Sequence, residues 1–336
     1  YKRQRLLRDA GAVILCEHGI DESFSGDGLI VASFTSDDAA IRLPAISRNA
    51  PRESLFGPGS LPVRRLALAD TDNGPMVVLR SDSVIGKSLR TRGTFEEAAL
   101  ADVVAFLQTK HGFRPAVLVD VGANIGTHLL RGLKEGLFPR GIGIEMDSDN
   151  YRLLASNLAL NGHLERVRMM NVAVSDTRGM ATMESCPDNL GDHRVRVTTD
   201  THDAFGESHW ATRTVPMTTL DAIEAEAGAA FDDGTLVWVD VQGHEGHVVA
   251  GAEGMLARER RPVFVMEFWP YGLERAGGRS RLLRFLKRCR AIHDIRAQDW
   301  QTSGPIDAAS VDAIYERVLR DQHSRRSFHT DLLCIL

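Results

Sequence analysis

The residues best suited to chemistry lie in one short turn, Asp-Val-Gly-Ala-Asn-Ile-Gly, at positions 120–126. The turn follows an apolar run typical of a buried strand and precedes a run typical of a helix. Because glycine has no Cβ, the backbone at Gly122 and Gly126 can come close to a bound molecule. Such turns commonly hold nucleotide-like ligands, and we predict a ligand here. A turn that only reverses the chain is the simpler alternative.

Two kinds of cofactor compete for this turn. A dinucleotide site has the pattern G-x-G-x-x-G, with amides facing a pyrophosphate, but position 124 is asparagine and Asp120 adds a negative charge. S-adenosylmethionine lacks phosphate and carries an ammonium and a sulfonium group, which a carboxylate stabilises. Glu145, at the end of the next predicted strand, can accept hydrogen bonds from both ribose hydroxyls. Together these residues favour S-adenosylmethionine over a nicotinamide cofactor.

Two acidic residues at the ends of later predicted strands are candidates for acid–base chemistry. Methyl transfer from a sulfonium depends on holding the reacting atoms in line, and a hydroxyl acceptor must also lose its proton. Asp240 ends the fourth predicted strand and Glu267 the fifth, so both are expected to project into the cleft. The alternatives are a helix N-cap for Asp240 and an ion pair with arginine for Glu267.

Two histidines are further catalytic candidates. His244 follows Asp240 closely, and His193 lies in a polar stretch that could reach the cleft. An unperturbed imidazole pKa of about 6.5 suits proton transfer at neutral pH, although a non-catalytic position is the alternative for each. The run His-Glu-Gly-His at 244–247 also resembles part of a metal site. It offers only two histidine ligands on one face, so no metal is predicted.

Alternating strands and helices must bring these positions together. From about residue 94, apolar runs such as AVLVDV, GIGIE, TLVWVDV and PVFVMEF alternate with amphipathic segments. This pattern is typical of a parallel sheet covered on both faces. A Thr-Phe-Glu-Glu capping box at 94–97 is predicted to begin the first helix. Residues 179–216 are predicted to form an inserted hairpin or loop, and the terminal DLLCIL a final strand.

The chain is predicted to have two parts. Residues 1–92 form an N-terminal β-rich extension, with loop or linker chemistry at 47–62, and residues 93–336 form one α/β domain. The sequence begins with Tyr1 rather than methionine, which we interpret as a processed product or a piece of a longer polypeptide.

Composition limits the classes of partner. The net charge of −5 and the pI near 6.2 argue against nucleic acid or a membrane surface as the main partner. No apolar run in the sequence approaches the ~20 residues that span a bilayer. The four cysteines are scattered and form no C-x-x-C pair, which favours reduced thiols in a cytoplasmic protein.

Several segments in order resemble the FkbM family of S-adenosylmethionine-dependent methyltransferases. They include DVGANIGTHLL, GIEMDSDNYRLLASNLALNG, NVAVSD, MTTLDAI, VDVQGHEGHVVAGAEGML and PVFVMEF. The resemblance covers roughly residues 83–336. It implies a class I methyltransferase (Rossmann-like) α/β fold, a mostly parallel seven-stranded sheet with helices on both faces and an antiparallel last strand.

The resemblance also implies roles for individual residues. Asp120, Gly122, Asn124 and Gly126 are expected around the methionine part of the cofactor, and Glu145 at the ribose. The adenine is expected to lie near Met146, Ala173 and Asp176. One departure is Gln242, where many relatives have glutamate, which puts in doubt any role that needs a charge at this position.

The predicted function is O-methylation of a hydroxyl on a small molecule, such as a sugar or a polyketide-type natural product. Two alternatives stay open. One is a non-catalytic methyltransferase-fold module within a larger assembly, and the other is a nicotinamide-dependent oxidoreductase.

Overall fold

A computed structural model describes residues 13–16, 29–32, 66–96, 98–197, 203–228, 230–307, 310–324 and 329–336. The predicted linker at 47–62 lies outside the described residues. Strands and helices alternate along most of the described chain. The strands are β1 (Val13–Cys16), β2 (Leu29–Ala32), β3 (Leu66–Thr71), β4 (Gly74–Leu79), β5 (Val117–Val121), β6 (Arg140–Ile144), β7 (Val167–Met170), β8 (Ala173–Val174), β9 (Gly179–Ser185), β10 (Arg194–Arg196), β11 (Ala211–Thr218), β12 (Thr235–Val239), β13 (Val263–Phe268), β14 (Ala291–Asp294) and β15 (Thr330–Ile335). The α-helices are α1 (Ile85–Arg92), α2 (Ala98–His111), α3 (Thr127–Lys134), α4 (Ser148–Leu160), α5 (Leu220–Ala227), α6 (Glu245–Ala250), α7 (Glu253–Leu256), α8 (Pro270–Arg275), α9 (Arg279–Leu286) and α10 (Val311–Ser324).

A seven-stranded sheet with the order β14-β15-β13-β12-β5-β6-β7 forms the centre of the fold. β15 is antiparallel to both of its neighbours, and the other pairings are parallel. β5, β12 and β13 are buried along their whole length because helices cover both faces, as their continuous apolar sequences require. The predicted class I methyltransferase sheet, including its antiparallel last strand, is confirmed.

Each face of the sheet has its own hydrophobic core. Helices α2 to α4 pack with the β3–β4 hairpin on one side, which we call the α2 face. Helices α5 to α10 cover the other side. Because successive side chains of a strand point to opposite faces, Leu118 belongs to the first core and Val119 to the second. Asp120 therefore points to the α2 face at the carboxyl end of β5.

Residues 66–92 are packed into the core of the α2 face. The β3–β4 hairpin contributes Met76, Val77 and Val78, all fully buried. Asn157 of α4 receives a hydrogen bond from the Val77 amide at 2.6 Å and donates one to the Val77 carbonyl at 3.2 Å. This part of the chain therefore shares the core of the α/β domain, and the boundary at residue 92 stays a prediction.

The predicted insertion forms a second, smaller sheet with the order β10-β9-β11-β8. β9 pairs antiparallel with β10 and β11, while β8 pairs parallel with the end of β11. The segment between β9 and β10 comes back over the carboxyl end of the main sheet. The inserted hairpin predicted at residues 179–216 is thus confirmed.

The first helix of the domain begins later than the capping-box prediction, which was wrong. Helix α2 starts at Ala98, and Glu96 has a left-handed φ of 56°. The Glu96 carboxylate forms an ion pair with Arg296 at 3.3 Å, a contact from the far end of the sequence. No helix in the described ranges is long and apolar enough to cross a membrane.

Candidate functional site

A cleft opens at the carboxyl ends of the central strands. Its walls come from the turn after β5, the ends of β6 and β12, strand β8 and the segment between β9 and β10. The lining residues are Val121, Gly122, Asn124, Ile144, Glu145, Met146, Asn150, Val172, Ala173, Val174, Leu190, Gly191, His193, Val195, Asp240, Val241, Gln242 and His244. This position is where open parallel sheets bind their ligands.

The glycine turn is held by close backbone packing. Gly122 has a φ of 87°, and a Cβ there would lie 1.9 Å from the carbonyl oxygen of Asp240. A Cβ on Gly126 (φ 95°) would lie 2.6 Å from Leu154 Cδ1. The sequence suggested that glycine is needed here so that a ligand can approach the backbone. In the structure, protein atoms occupy the space that a Cβ would take at each of the two positions. Gly122 lines the cleft, whereas Gly126 lies at the start of α3.

Asn124 takes the place of a middle glycine and has a left-handed φ of 47°. Asparagine tolerates this region better than most residues. Its backbone N–H donates to Glu145 Oε2 at 2.8 Å, and its side-chain amide donates to the Leu190 carbonyl at 2.9 Å. The turn is therefore fastened both to the end of β6 and to the insertion.

Glu145 is buried and accepts backbone hydrogen bonds on both oxygens. Oε2 takes the Asn124 N–H and Oε1 takes the Asp147 N–H at 2.7 Å. Each carboxylate oxygen has a second lone pair, so both can still accept hydrogen bonds from a vicinal diol. Burial raises the pKa of Glu145 to about 8, against the opposing effect of the two amides.

Asp120 is 2% exposed, and its Oδ2 has no hydrogen-bond partner in the described part of the chain. Burial, together with the nearby Asp240 and Glu145 carboxylates, raises its pKa to about 8. An unpaired carboxyl among other carboxyls is an unfavourable arrangement unless a cation approaches it. The sulfonium and ammonium groups of S-adenosylmethionine meet that requirement, and a pyrophosphate does not.

Five acidic residues follow one another across adjacent strands, all on the α2 face. In spatial order this carboxylate row consists of Glu145 after β6, Asp120 on β5, Asp240 after β12, Glu267 on β13 and Asp331 on β15. Glu267 is the register partner of Asp331, and the pairing of Val239 with Met266 puts Asp240 beside Glu267. Asp331 forms an ion pair with Arg296 at 2.6 Å. The carboxylates without a cationic partner among the described residues are therefore at the opposite end of the row, which begins with Glu145.

Asp240 and Glu267 are brought together at the edge of the cleft. Asp240 lines the cleft, while Glu267 lies behind it, joined through Gln242. Neither alternative role is realised: helix α6 begins at Glu245 with His244 as its N-cap, and no described arginine pairs with Glu267. Burial raises the pKa of Asp240 to about 7 and that of Glu267 well above its usual range.

The two candidate histidines are poorer bases than Asp240. His244 lines the cleft, but burial lowers its pKa to about 3, and its Nε2 lies 2.9 Å from Ser175 Oγ. His193 also lines the cleft, and burial lowers its pKa too. Its Nδ1 accepts the Cys186 N–H at 3.1 Å, so the neutral ring carries its proton on Nε2 and can donate there.

The residues expected near the adenine separate in the structure. Met146 and Ala173 line the cleft. Asp176 is not among the lining residues and pairs with Arg281 at 3.0 Å and His247 at 3.6 Å. In the described ranges, no group of three or more His, Cys, Asp or Glu side chains has metal-ligating geometry.

Several cleft residues were not found from the sequence. Asn150 of α4 donates to the Leu190 carbonyl at 2.9 Å, the same oxygen that Asn124 contacts. Leu190, Gly191 and Val195 close the cleft from the insertion. Asn150 lies in the first turn of α4, the helix that follows Glu145, and this position in the sequence could have indicated that it lines the cleft. The insertion residues have no motif, because their position depends on how the second sheet packs.

We expect the affinity for S-adenosylmethionine to rise on the order of tenfold between pH 6 and pH 8. The pKa values of Asp120 and Glu145 are about 8, so their carboxyls ionise over this range and then attract the cationic cofactor. Because burial raises the pKa of both carboxyls above their values in the unfolded chain, both contribute to the free energy of unfolding at low pH. This contribution is lost as the pH rises through about 8. Calorimetry checks the affinity, and thermal unfolding should show the free protein less stable at pH 8. A flat affinity profile contradicts the prediction.

Residues 120–292 match the family model described as Methyltransferase FkbM domain. No curated protein sequence matches the chain. Among solved structures, P. horikoshii TYW2 in complex with MeSAdo is 11% identical over 81% of this chain and 72% of its own, with a TM-score of 0.36. A SAM-dependent methyltransferase from Geobacter sulfurreducens in complex with S-adenosyl-L-homocysteine is 15% identical over 71% and 90%, with a TM-score of 0.35. Geranyl diphosphate C-methyltransferase from Streptomyces coelicolor A3(2) is 11% identical over 75% and 88%, with a TM-score of 0.31. The family match spans the glycine turn, Glu145, the insertion, Asp240 and Glu267.

Proposed function

The chain belongs to the FkbM methyltransferase family, and from this premise we propose that it methylates a hydroxyl group of a small molecule of sugar or natural-product type. The methyl donor of the family is S-adenosylmethionine. The observation that carries the proposal is Asp240, a carboxyl at the rim of the cleft whose pKa of about 7 suits removal of a hydroxyl proton.

The cleft has the groups needed to hold the donor. Asp120 does not line the cleft, but it keeps an unpaired, buried carboxylate oxygen two residues before Gly122, which does, and Glu145 keeps free lone pairs for the two ribose hydroxyls. Met146 and Ala173 supply apolar surface beside Glu145 for the base. When bound, S-adenosylmethionine supplies a methyl group on a positively charged sulfur.

The protein's own contribution is orientation and proton removal. The turn, Glu145 and the insertion are fastened to one another by hydrogen bonds through Asn124 and Leu190, which favours a fixed donor position. Asp240 accepts the proton of the acceptor hydroxyl. His193, with its proton on Nε2, is proposed to donate a hydrogen bond inside the cleft rather than to act as a base.

The charge of the site supports a small acceptor. Asp240, which lines the cleft, favours a hydroxyl group that donates a hydrogen bond to it, and disfavours a nucleic-acid backbone. We propose the cytoplasm as the location. Cys186, Cys289 and Cys334 are buried free thiols, which suits a reducing compartment.

Replacing Glu145 with alanine is expected to weaken binding of S-adenosylmethionine by about 10- to 100-fold, because two ribose hydrogen bonds to a charged group are lost. Glu135→Ala is the matched control, since Glu135 is an exposed partner of Arg131 far from the cleft. Isothermal calorimetry measures both variants. Absence of binding to the unmodified protein, or tighter binding of NAD, would overturn the proposed cofactor.

The acceptor is tested with radiolabelled S-adenosylmethionine and a panel of sugars, hydroxylated natural products, amines, carboxylic acids and RNA. The expected result is label in an acid-stable methyl ether on a hydroxyl. Label only in RNA, on nitrogen or on carbon would overturn O-methylation. Donor binding without transfer to any member of the panel would favour the alternative of a non-catalytic module.

A further inference from the structure

Gln242 joins the two acidic residues beside the cleft. Its side-chain Nε2 donates to Asp240 Oδ1 at 2.6 Å and lies 3.2 and 3.3 Å from the two oxygens of Glu267. Asp240 and Glu267 are register neighbours on adjacent parallel strands. The same amide therefore contacts both carboxyls, but its contact with Asp240 is clearly the shorter.

The backbone fixes Gln242 in this place. Its φ is 55°, a left-handed conformation that is rare for glutamine and is kept only where the surroundings impose it. The amides on either side, of Val241 and Gly243, both donate to Glu245 Oε1, at 3.1 and 3.2 Å. A Cβ on Gly243 would lie 2.3 Å from the backbone of Gly272 in α8, so the loop has no room to shift.

We propose that Gln242 is a positioning residue for the reaction proposed above: its amide keeps the negative charge on Asp240 and leaves the proton on Glu267. The proposal rests on the proposed function for its catalytic meaning, but the placement of charge and proton is a property of the protein alone. Glutamine suits this role because its amide is neutral and donates hydrogen bonds at any pH.

The surroundings make the division of charge necessary. Asp120, Glu145 and Glu245 face the pair from β5, β6 and α6, and all are buried acids. Asp331 approaches the pair from the other side, together with its ion-pair partner Arg296. The His329 ring also lies on that side, with Nδ1 3.9 Å from Glu267 Oε1. The further charges that act on the pair are Glu96, which pairs with Arg296, and Asp192.

Two adjacent buried carboxyls cannot both ionise easily in such surroundings. Burial raises the pKa of both, and the Gln242 hydrogen bond opposes this effect at Asp240. Asp240 is therefore the member that ionises near neutral pH and can receive the proton of an acceptor. Glu267, which lies behind Asp240 and outside the cleft lining, stays protonated.

The test is a pH titration of carboxyl carbons by NMR in protein labelled with ¹³C at aspartate and glutamate, with assignments from Asp240→Asn and Glu267→Gln. In the unmodified protein, Asp240 is expected to titrate below Glu267. In Gln242→Met, which keeps the side-chain length and removes the donor, the midpoint of Asp240 should rise by about one pH unit or more. Gln108→Met, on the exposed surface of α2, is the matched control and should leave both midpoints unchanged.

Gln242→Asn serves as a second variant, because asparagine accepts left-handed φ readily and its shorter amide does not span the two carboxyls. It should shift the Asp240 midpoint in the same direction. Unchanged midpoints in both variants, or Glu267 titrating below Asp240 in the unmodified protein, would overturn the proposal. Calorimetry with S-adenosylmethionine on the same samples separates the two ideas: lack of binding refutes the proposed function and leaves the titration result standing.

Discussion

Replacing Asp240 with asparagine is expected to lower the turnover number by about 10²- to 10⁴-fold, the usual contribution of a general base. Asparagine keeps the shape of the side chain and can still accept the Gln242 hydrogen bond, but it cannot take a proton. Binding of S-adenosylmethionine should change much less, because Asp120 and Glu145 are intact. The measurement is steady-state turnover with a hydroxyl acceptor found in the panel, together with calorimetry of donor binding.

The pH dependence adds a second readout. Activity of the unmodified protein should fall as pH drops below about 7, since protonation of Asp240 removes the base. In Asp240→Asn this fall in activity below about pH 7 should disappear. His244→Ala is the comparison, because His244 lines the same cleft but its pKa is about 3, and its loss should reduce turnover far less. Near-normal turnover in Asp240→Asn, or a larger loss in His244→Ala, would assign the base elsewhere.

The second large effect is expected on stability rather than catalysis. Gly122→Ala should lower the free energy of unfolding by about 2–5 kcal/mol. A left-handed φ costs alanine about 1–2 kcal/mol, and overpacking against backbone adds roughly 1–3 kcal/mol. The new Cβ would lie 1.9 Å from the Asp240 carbonyl oxygen, so β5 and β12 must separate at the cleft. Urea unfolding measures the change.

Gly136→Ala isolates the strain from the overlap. Gly136 also has a left-handed φ, of 68°, but a Cβ there meets nothing within 4 Å. Its cost should be only the conformational part, about 1–2 kcal/mol. Equal decreases in the free energy of unfolding of the two variants would mean that the left-handed backbone conformation alone accounts for glycine at position 122. Weaker binding of S-adenosylmethionine in Gly122→Ala but not in Gly136→Ala would add that the contact between β5 and β12 shapes the cleft.

The main sheet was predictable from the sequence because its signals are local. Strands buried on both faces must be apolar throughout, so β5, β12 and β13 are recognisable as runs of Val, Leu, Phe and Trp. The carboxyl ends of parallel strands meet at one edge, which brings Glu145 and Asp240 to the same cleft. Motif order then indicated the family, which the match over residues 120–292 confirms.

Local signals failed where a distant residue decided the outcome. The Thr-Phe-Glu-Glu pattern at 94–97 predicted a helix start, but the ion pair between Glu96 and Arg296 accompanies a different backbone conformation. The pKa of His244 was taken as suitable for catalysis, and only its burial, with Nε2 beside Ser175 Oγ, reduces that pKa to about 3. Neither contact leaves a trace in the sequence near the residue concerned.

The sequence alone determined the α/β architecture, the turn at 120–126 and the acidic residues at strand ends, because period and composition along a strand are set by burial on its two faces. The tertiary structure decided which atoms those residues contact. It filled the space at Gly122 with the Asp240 carbonyl, left Asp120 Oδ2 unpaired and brought Gln242 between Asp240 and Glu267. Distances and desolvation depend on packing between segments far apart in the chain, and these set the charge of each carboxyl.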